Sequence, residues 1–253
     1  MATDLQLLSE KAHRRAALAE AGLGKSLPFH ILSEKMCYLS YYDIFYEKQF
    51  EKSYRLCIEN NIHTFFIPPV LLPFVLDHFA GTKLKIGTII DYPYSGLPPS
   101  IKGDLIRWAE DNGVEEIIVT LRADVMHENK GRERVRQALL SYGKCLDSDI
   151  PLYFAFDGHF LSESQIITFV RYSEMAGVSG VICLNLRRRL NILRDVAVVR
   201  SATPNSMSVG VLGNIKTWQE VETLSAAGAD ITVTMCDLDD FRYPLGFRKS
   251  DLV

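Results

Sequence analysis

The sequence predicts one closed (β/α)8 barrel over residues 1–253, with residues 1–30 as an N-terminal helical extension. Three observations carry this. Eight short apolar segments recur along the chain, and helix-patterned stretches separate them. The segments lack clean polar alternation, as a parallel sheet covered on both faces requires. Their number and total length match a barrel of about 250 residues.

The first stretch, 4–22, has helix-forming composition; Leu5, Leu8, Ala12 and Leu18 roughly follow helical spacing, and Gly22 and Gly24 stop it. It precedes the first strand, so the expectation is a helix packed on the bottom of the barrel, with a partner-binding arm as the alternative. Strands are expected at 36–40, 63–67, 85–90, 116–121, 152–156, 180–184, 208–212 and 230–234. Helices are expected at 47–59, 71–79, 101–112, 133–146, 163–176, 190–201 and 218–227, with only weak helical character after Asp237. Ser162 with Gln165 and Thr217 with Glu220 are capping boxes. Asn112-Gly113, Ala176-Gly177 and Ala227-Gly228 end helices at a glycine that can turn left-handed. An open doubly wound sheet is the rival architecture; no GxGxxG loop and no GxxxxGK[ST] loop supports it. No linker or low-complexity run divides the chain.

Composition narrows the function classes. With 47% hydrophobic and 23% charged residues, the chain can bury a full core. A net charge of −3 argues against a broad nucleic-acid surface. The 5 cysteines, Cys37, Cys57, Cys145, Cys183 and Cys236, are scattered and show no CxxC pairing. A disulfide framework or structural zinc site is not expected, and free thiols suit a reducing compartment. The first residues are rich in Glu, Lys and Arg and lack the apolar core of a signal peptide; no apolar run reaches the ~18 residues of a membrane helix. The expectation is a cytoplasmic protein acting on a small substrate, with no nucleic acid, membrane, metal or cofactor, and with a homo-oligomer left open.

The order of segments resembles the deoxyribose-phosphate aldolase family. Phe65-Phe66-Ile67-Pro68-Pro69 followed by Pro73 is similar to its second strand and proline-bearing turn. Ile86 through Pro93 is similar to its third strand, an apolar run ending in Gly-Phe-Pro. Residues 113–123 resemble its Gly-Ala-x-Glu-Val-Asp strand 4, and Ala176-Gly177 leading into Val181 resembles the approach to strand 6. Gly213-Asn214-Ile215-Lys216-Thr217 resembles the Gly-Gly-Val-Arg-Thr turn after strand 7. The resemblance runs from about Met36 to Cys236 and implies the barrel fold and aldolase chemistry through a lysine Schiff base.

The chain departs from the family where that chemistry sits. The Schiff-base lysine of strand 6 falls on Ile182, the strand-7 lysine on Gly210, the strand-4 aspartate on Ile118 and a strand-5 lysine on Tyr153. No lysine lies between Lys144 and Lys216, so no small shift of alignment restores one. A Schiff base needs a neutral, nucleophilic amine. The family's Gly-Ala-Ser after strand 8 reads Val233-Thr234-Met235, without the glycine that lets backbone amides approach a phosphate.

Barrel sites form at the C-terminal strand ends. Those ends carry Asp91, Tyr92 and Tyr94 (strand 3); Arg122, Asp124 and His127 (strand 4); Asp157 and His159 (strand 5); Asn185, Arg187 and Arg188 (strand 6); Asn214 and Lys216 (strand 7); Cys236 and Asp237 (strand 8). If Ile118, Tyr153 and Ile182 point inward, alternation turns Arg122, Asp157 and Leu184 inward too. The expected catalytic set is Asp157 as acid or base, Arg122 facing it, and His159 as a proton relay. The plainer reading makes Asp157 the ion-pair partner of Arg122 and His159 a loop residue. Asp91, Tyr92, Asn185, Arg187, Arg188, Asn214, Lys216 and Cys236 are the expected substrate-binding groups. The arginines suit an oxyanion, although consecutive residues cannot all face one site. Asp157, His159, Asp91 and Cys236 match no standard metal-ligand spacing. Tyr38, Tyr41 and Tyr42 add aromatic linings near the first strand. The expected function is a lyase-like enzyme using acid–base chemistry on a small anionic carbonyl compound; the alternative is a non-catalytic relative that binds a metabolite or a protein. An apolar mouth made of Ile182, Leu184, Leu212 and Met235 favours that alternative.

Overall fold

Eight parallel strands close into a barrel in chain order in the computed structural model, which describes residues 2–40, 47–79, 84–186 and 192–242. The strands are β1 (Met36–Leu39), β2 (Thr64–Ile67), β3 (Lys85–Ile90), β4 (Glu116–Leu121), β5 (Leu152–Phe156), β6 (Gly180–Asn185), β7 (Ser208–Gly213) and β8 (Ile231–Thr234). The helices are α1 (Ala2–Glu20), α2 (Phe29–Ser33), α3 (Glu47–Glu59), α4 (Leu72–Phe79), α5 (Pro99–Asp111), α6 (Gly131–Tyr142), α7 (Glu163–Met175), α8 (Ile192–Ala202) and α9 (Trp218–Ala227). Both capping boxes form, at Ser162/Gln165 before α7 and Thr217/Glu220 before α9. Gly113, Gly177 and Gly228 all take positive φ, as helix stops of this kind require.

Strand alternation divides the core in two. Residues such as Ile117, Val119, Phe154, Val181 and Val211 face the helices and join the large outer cluster. Their alternates Ile118, Tyr153, Ala155, Ile182, Leu184, Leu212 and Val233 fill the barrel interior. The inward set expected from the sequence, Ile118, Tyr153, Ile182 and Leu184, is therefore inward.

Helix α1 departs from expectation. It lies along the outer faces of α8 and α9 instead of across the bottom. Its buried stripe is Leu5, Leu8, Ala12, Ala16 and Ala19, and Leu18 is exposed. Small residues every three to four positions let α1 approach other helices closely. Ser9 and His13 then reach Glu163 at the start of α7. Two single-turn 3-10 elements, Asp124–His127 and Gly158–Phe160, follow β4 and β5. They shape the mouth, and the sequence reading did not anticipate them.

Candidate functional site

Above β4, β5 and β6 lies a cavity of about 280 Å3. Its polar lining includes Thr120, Arg122, Asp124 and Asp157, and its rim carries Tyr94, Phe160 and Leu186. Arg122 and Asp157 thus share one cavity, as strand alternation predicts. They do not form the expected pair. Arg122 binds Asp124 through two hydrogen bonds, Nε to Oδ1 at 3.1 Å and Nη2 to Oδ2 at 2.6 Å. The 3-10 turn places Asp124 two residues away, and a local partner needs less chain ordering than one on the next strand. Hydrogen bonding to Arg122 holds the Asp124 carboxyl below the usual carboxylate range. The Arg122 Nη1 edge makes no hydrogen bond among the described residues. Asp157 Oδ1 accepts the His159 amide at 3.0 Å and so caps the 3-10 turn. His159 is exposed and its ring stands edge-on to Phe160, with centroids 4.4 Å apart.

Below this cavity the barrel axis is apolar. Ile182 and Gly210, the positions that the sequence resemblance matches to two aldolase lysines, are register partners on β6 and β7. They are also in contact: a Cβ built on Gly210 would lie 3.0 Å from Ile182 Cγ1. Ile182, Leu184, Leu212 and Val233 are buried in one cluster with Tyr92, and Met235 packs against it. The Tyr92 hydroxyl donates to Met235 Sδ at 2.9 Å, joining the β3 side of the mouth to the β8 side. Among the described residues, the buried hydroxyls of Ser40 and Thr120 in this region have no hydrogen-bond partner.

Asp91 has a partner that the sequence reading missed. Lys102, on the buried face of α5, places its ammonium 2.9 Å from Asp91 Oδ2 and 2.7 Å from both Ser95 Oγ and Thr120 O. Three acceptors match the three donors of a lysine. β3 pairs with β4 only as far as Ile90–Val119, so Thr120 O lies just past that ladder, and Lys102 and Ser95 take it up. The amides of Gly96 and Leu97 donate to the Asp91 carboxylate, and Asp91 itself has φ 62. Burial lowers the Lys102 pKa, and the Asp91 hydrogen bond opposes that shift. With all three donors used, this amine braces the β3–α5 loop and is not a presented nucleophile. A sequence signal existed: Lys102 shares a helical face with Ile106 and Ala109.

The remaining expected ligands are dispersed. Asn185 and Asn214 line a second cavity of about 420 Å3 with residues of α8 and α9. Lys216 lines a third, of about 760 Å3, with Glu220, Asp239 and Arg242. Cys236 is buried, donates to Asp237 O at 3.4 Å, and has its thiol pKa pushed up by burial. Tyr92 is a barrel-top residue, and Arg187, Arg188, Tyr41 and Tyr42 lie outside the described residues. All 5 cysteines are free, and no group of three or more His, Cys, Asp or Glu suited to a metal occurs among the described residues. Among those residues, no helix is long and apolar enough to cross a membrane.

No family model matches the chain. A deoxyribose-phosphate aldolase of Dictyoglomus turgidum is 26% identical over 191 residues, covering 70% of this chain and 81% of that protein. One from Rhodospirillum rubrum is 22% identical over 167 residues, 64% of this chain and 68% of that protein. Among solved structures, the aldolase QR15 superposes with a TM-score of 0.73 at 17% identity, over 83% of this chain and 93% of its own. The tetrameric deoxyribose phosphate aldolase of Aeropyrum pernix gives 0.71 at 17% identity, over 91% and 95%. The likeness to this group thus holds in sequence and in fold, and it supports an aldolase-like function.

Proposed function

We propose that this relative of the deoxyribose-phosphate aldolases cleaves or forms a carbon–carbon bond in a small anionic carbonyl compound at the mouth cavity, by acid–base chemistry and without a lysine Schiff base. One observation carries the reading. Ile182 and Gly210, which the resemblance matches to the family's lysines, lie as register partners at the apolar barrel centre, whereas Arg122, Asp124 and Asp157 gather higher up around one cavity.

In the cleavage direction, the Asp157 carboxylate takes the proton of the substrate's β-hydroxyl as the Cα–Cβ bond breaks. The products at that stage are an aldehyde and an enolate, and the electrons of the broken bond end on the enolate. The Nη1 edge of Arg122, held in place by Asp124, binds the substrate carboxylate and shares the developing charge. The proton held by Asp157 then passes to the enolate carbon. His159, on the same 3-10 turn, is the second candidate for proton transfer.

The test is release of aldehyde from a panel of 4-hydroxy-2-oxo acids. Asp157→Asn keeps shape and removes the base, so turnover should fall by about 10²–10⁴-fold with binding largely kept. Undiminished turnover in that variant, or a borohydride-trapped adduct on any lysine, would sink the proposal. One observation favours a second reading, a metabolite binder without catalysis: the mouth holds the apolar set Ile182, Leu184, Leu212 and Met235, closed over by the Tyr92–Met235 contact. Binding across the panel with no aldehyde release would select it.

A further inference from the structure

Outside the barrel wall, between α5 and α6, lies a further cavity of about 220 Å3 that the proposed reaction does not use. Its place follows from the sequence pattern. Val135, Ala138, Leu139 and Tyr142 recur at three- and four-residue spacing, so α6 turns one apolar stripe inward. Leu121 alternates outward on β4 with Ile117 and Val119 and lines the cavity opposite that stripe. The stripe carries only a small residue, Ala138, at its middle. From α5 comes Lys102, whose ammonium is tied to Asp91, Ser95 and Thr120 O. The space between the helices is left unfilled.

Tyr142 lies at the deep end. It lines the cavity, is 2% exposed, and sets its ring edge-on to Phe154 of β5 with centroids 6.2 Å apart. Its hydroxyl makes no hydrogen bond among the described residues. A buried tyrosine hydroxyl ordinarily finds a partner. Unlike Thr120 Oγ1, this oxygen is not sealed from contact, and the cavity is the space beside it. Burial, and after it the Asp91 carboxylate and Cys145, push its pKa up to about 12, so at neutral pH it is protonated and can donate. The other end is open: Gly96 and Arg134 are exposed, and a Cβ built on Gly96 would meet nothing within 4 Å. Three cations line the cavity, Lys102, Arg122 and Arg134, and no carboxylate does. Each already has a carboxylate partner beyond the wall: Asp91, Asp124 and Glu128 in turn. A carboxylate entering here would give up its hydration without gaining an uncommitted cation. A plain hydrocarbon would leave the Tyr142 hydroxyl without a partner.

From these observations we infer that the cavity between α5 and α6 binds an uncharged, compact, mainly apolar molecule with one hydrogen-bonding oxygen, in the manner of a one-ring alcohol or aldehyde. The oxygen accepts from the Tyr142 hydroxyl, and the apolar body lies along Val135, Ala138 and Leu139. An apolar cavity of roughly 150 Å3 is enough to take up benzene, so one of about 220 Å3 has room for a ring and its substituent. Ser95, Leu121 and Arg122 belong to the walls of both this cavity and the mouth cavity, yet the binding invoked here needs no chemistry at the mouth.

The experiment titrates the full, isotope-labelled chain with benzyl alcohol, toluene and benzoate and follows backbone amide shifts by NMR. Benzyl alcohol should move the amides of the β3–α5 loop, α5 and α6 at millimolar concentration and bind several-fold tighter than benzoate. Tyr142→Phe should weaken benzyl alcohol roughly 3–10-fold, the worth of one hydrogen bond, and leave toluene as tight or tighter. Its thermal midpoint should be no lower than wild type, because the hydroxyl has no internal partner to lose. Ala138→Leu fills the cavity and should abolish the binding of both uncharged probes. If that variant does not fold, Tyr142→Phe and the location of the shifts decide. The absence of any shift at millimolar concentration means that the cavity holds water only and overturns the inference. So does benzoate binding as tightly as benzyl alcohol, benzyl alcohol indifferent to Tyr142→Phe, binding that survives in folded Ala138→Leu, or shifts confined to other parts of the barrel. A fall in midpoint on Tyr142→Phe makes the hydroxyl structural and also counts against it. Binding is read without turnover, so failure of the acid–base proposal leaves this result standing, and the reverse holds too.

Discussion

Replacing Lys102 with Met removes one member of a nearly buried ion pair and tests whether the β3–α5 loop depends on it. The side chains of Lys102 and Asp91 are 4% and 11% exposed. Breaking a buried pair from one side typically costs about 3–5 kcal/mol, because a charge is left without compensation. Two features reduce that here. Asp91 keeps the Gly96 and Leu97 amides at 3.1 and 2.8 Å, and Thr120 O keeps the Ser95 hydroxyl at 2.8 Å. The expected loss is therefore about 2–4 kcal/mol. At about 2–3 kcal/mol per molar, this lowers the urea midpoint by roughly 1 M, read on the first unfolding transition by circular dichroism. Asp91→Asn in the same background removes the stranded carboxylate, and Asn tolerates the positive φ at this position. The double variant should recover at least about 1 kcal/mol of the loss. Burial lowers the Lys102 pKa, so between the folded value and the ordinary lysine value the unfolded chain binds the extra proton. Stability from this group accordingly rises with pH across that alkaline window, and the Met variant lacks the rise. A midpoint shift below about 0.2 M, or no recovery in the double variant, would refute the brace.

Three further outcomes follow from the same geometry. Asp124→Asn should remove part of the acid dependence of stability: Arg122 holds the Asp124 pKa low, so its contribution is present above the unfolded carboxylate value and is lost as pH falls through the folded one. Because the pair is half exposed, the effect in acid-titrated denaturant curves should stay within about 0.2–1 kcal/mol. Gly131→Ala would put a Cβ 1.7 Å from Val125 O, so α6 must shift from the β4 turn; a loss of about 2–3 kcal/mol should appear as a fall in thermal midpoint of roughly 4–12 °C. Glu116→Gln should stabilise: burial raises the Glu116 pKa, so its contribution falls as pH climbs from the unfolded carboxylate value through the folded one, and the gain should appear in denaturant curves near neutral pH and vanish in acid.

The strands were legible because a doubly covered parallel strand must be apolar on both faces, and the helix ends because their caps are written in local residue pairs. Direction along a strand was equally legible, since a period of two places Ile118, Tyr153 and Ile182 on one face. The partners of the polar residues were not. Arg122 chose Asp124 over Asp157 through a 3-10 turn whose residues carry no strong turn signal. Asp91 found Lys102 across a loop that also needs two non-glycine residues at positive φ, a conformation sequence patterns do not announce. The expected site residues therefore scattered into three cavities and a brace because loop geometry decides side-chain partners once the barrel has placed the strand ends.

The apolar barrel centre also bears on how the chemistry can differ from that of the relatives. An amine at position 182 would sit beside Gly210, among Leu184, Leu212 and Val233. None of these offers a hydrogen-bond acceptor by its side chain, so the charged form would be strongly disfavoured there. Nor can a second cation be added at 210 without displacing Ile182, which a Cβ alone already approaches to 3.0 Å. One substitution thus cannot restore a lysine pair. Ile182 and Gly210 fit each other as a unit, and the chain has committed its barrel axis to packing. On the proposed reading, the reaction draws on groups above that layer, at the ends of β4 and β5, where Thr120, Arg122 and Asp157 line one cavity.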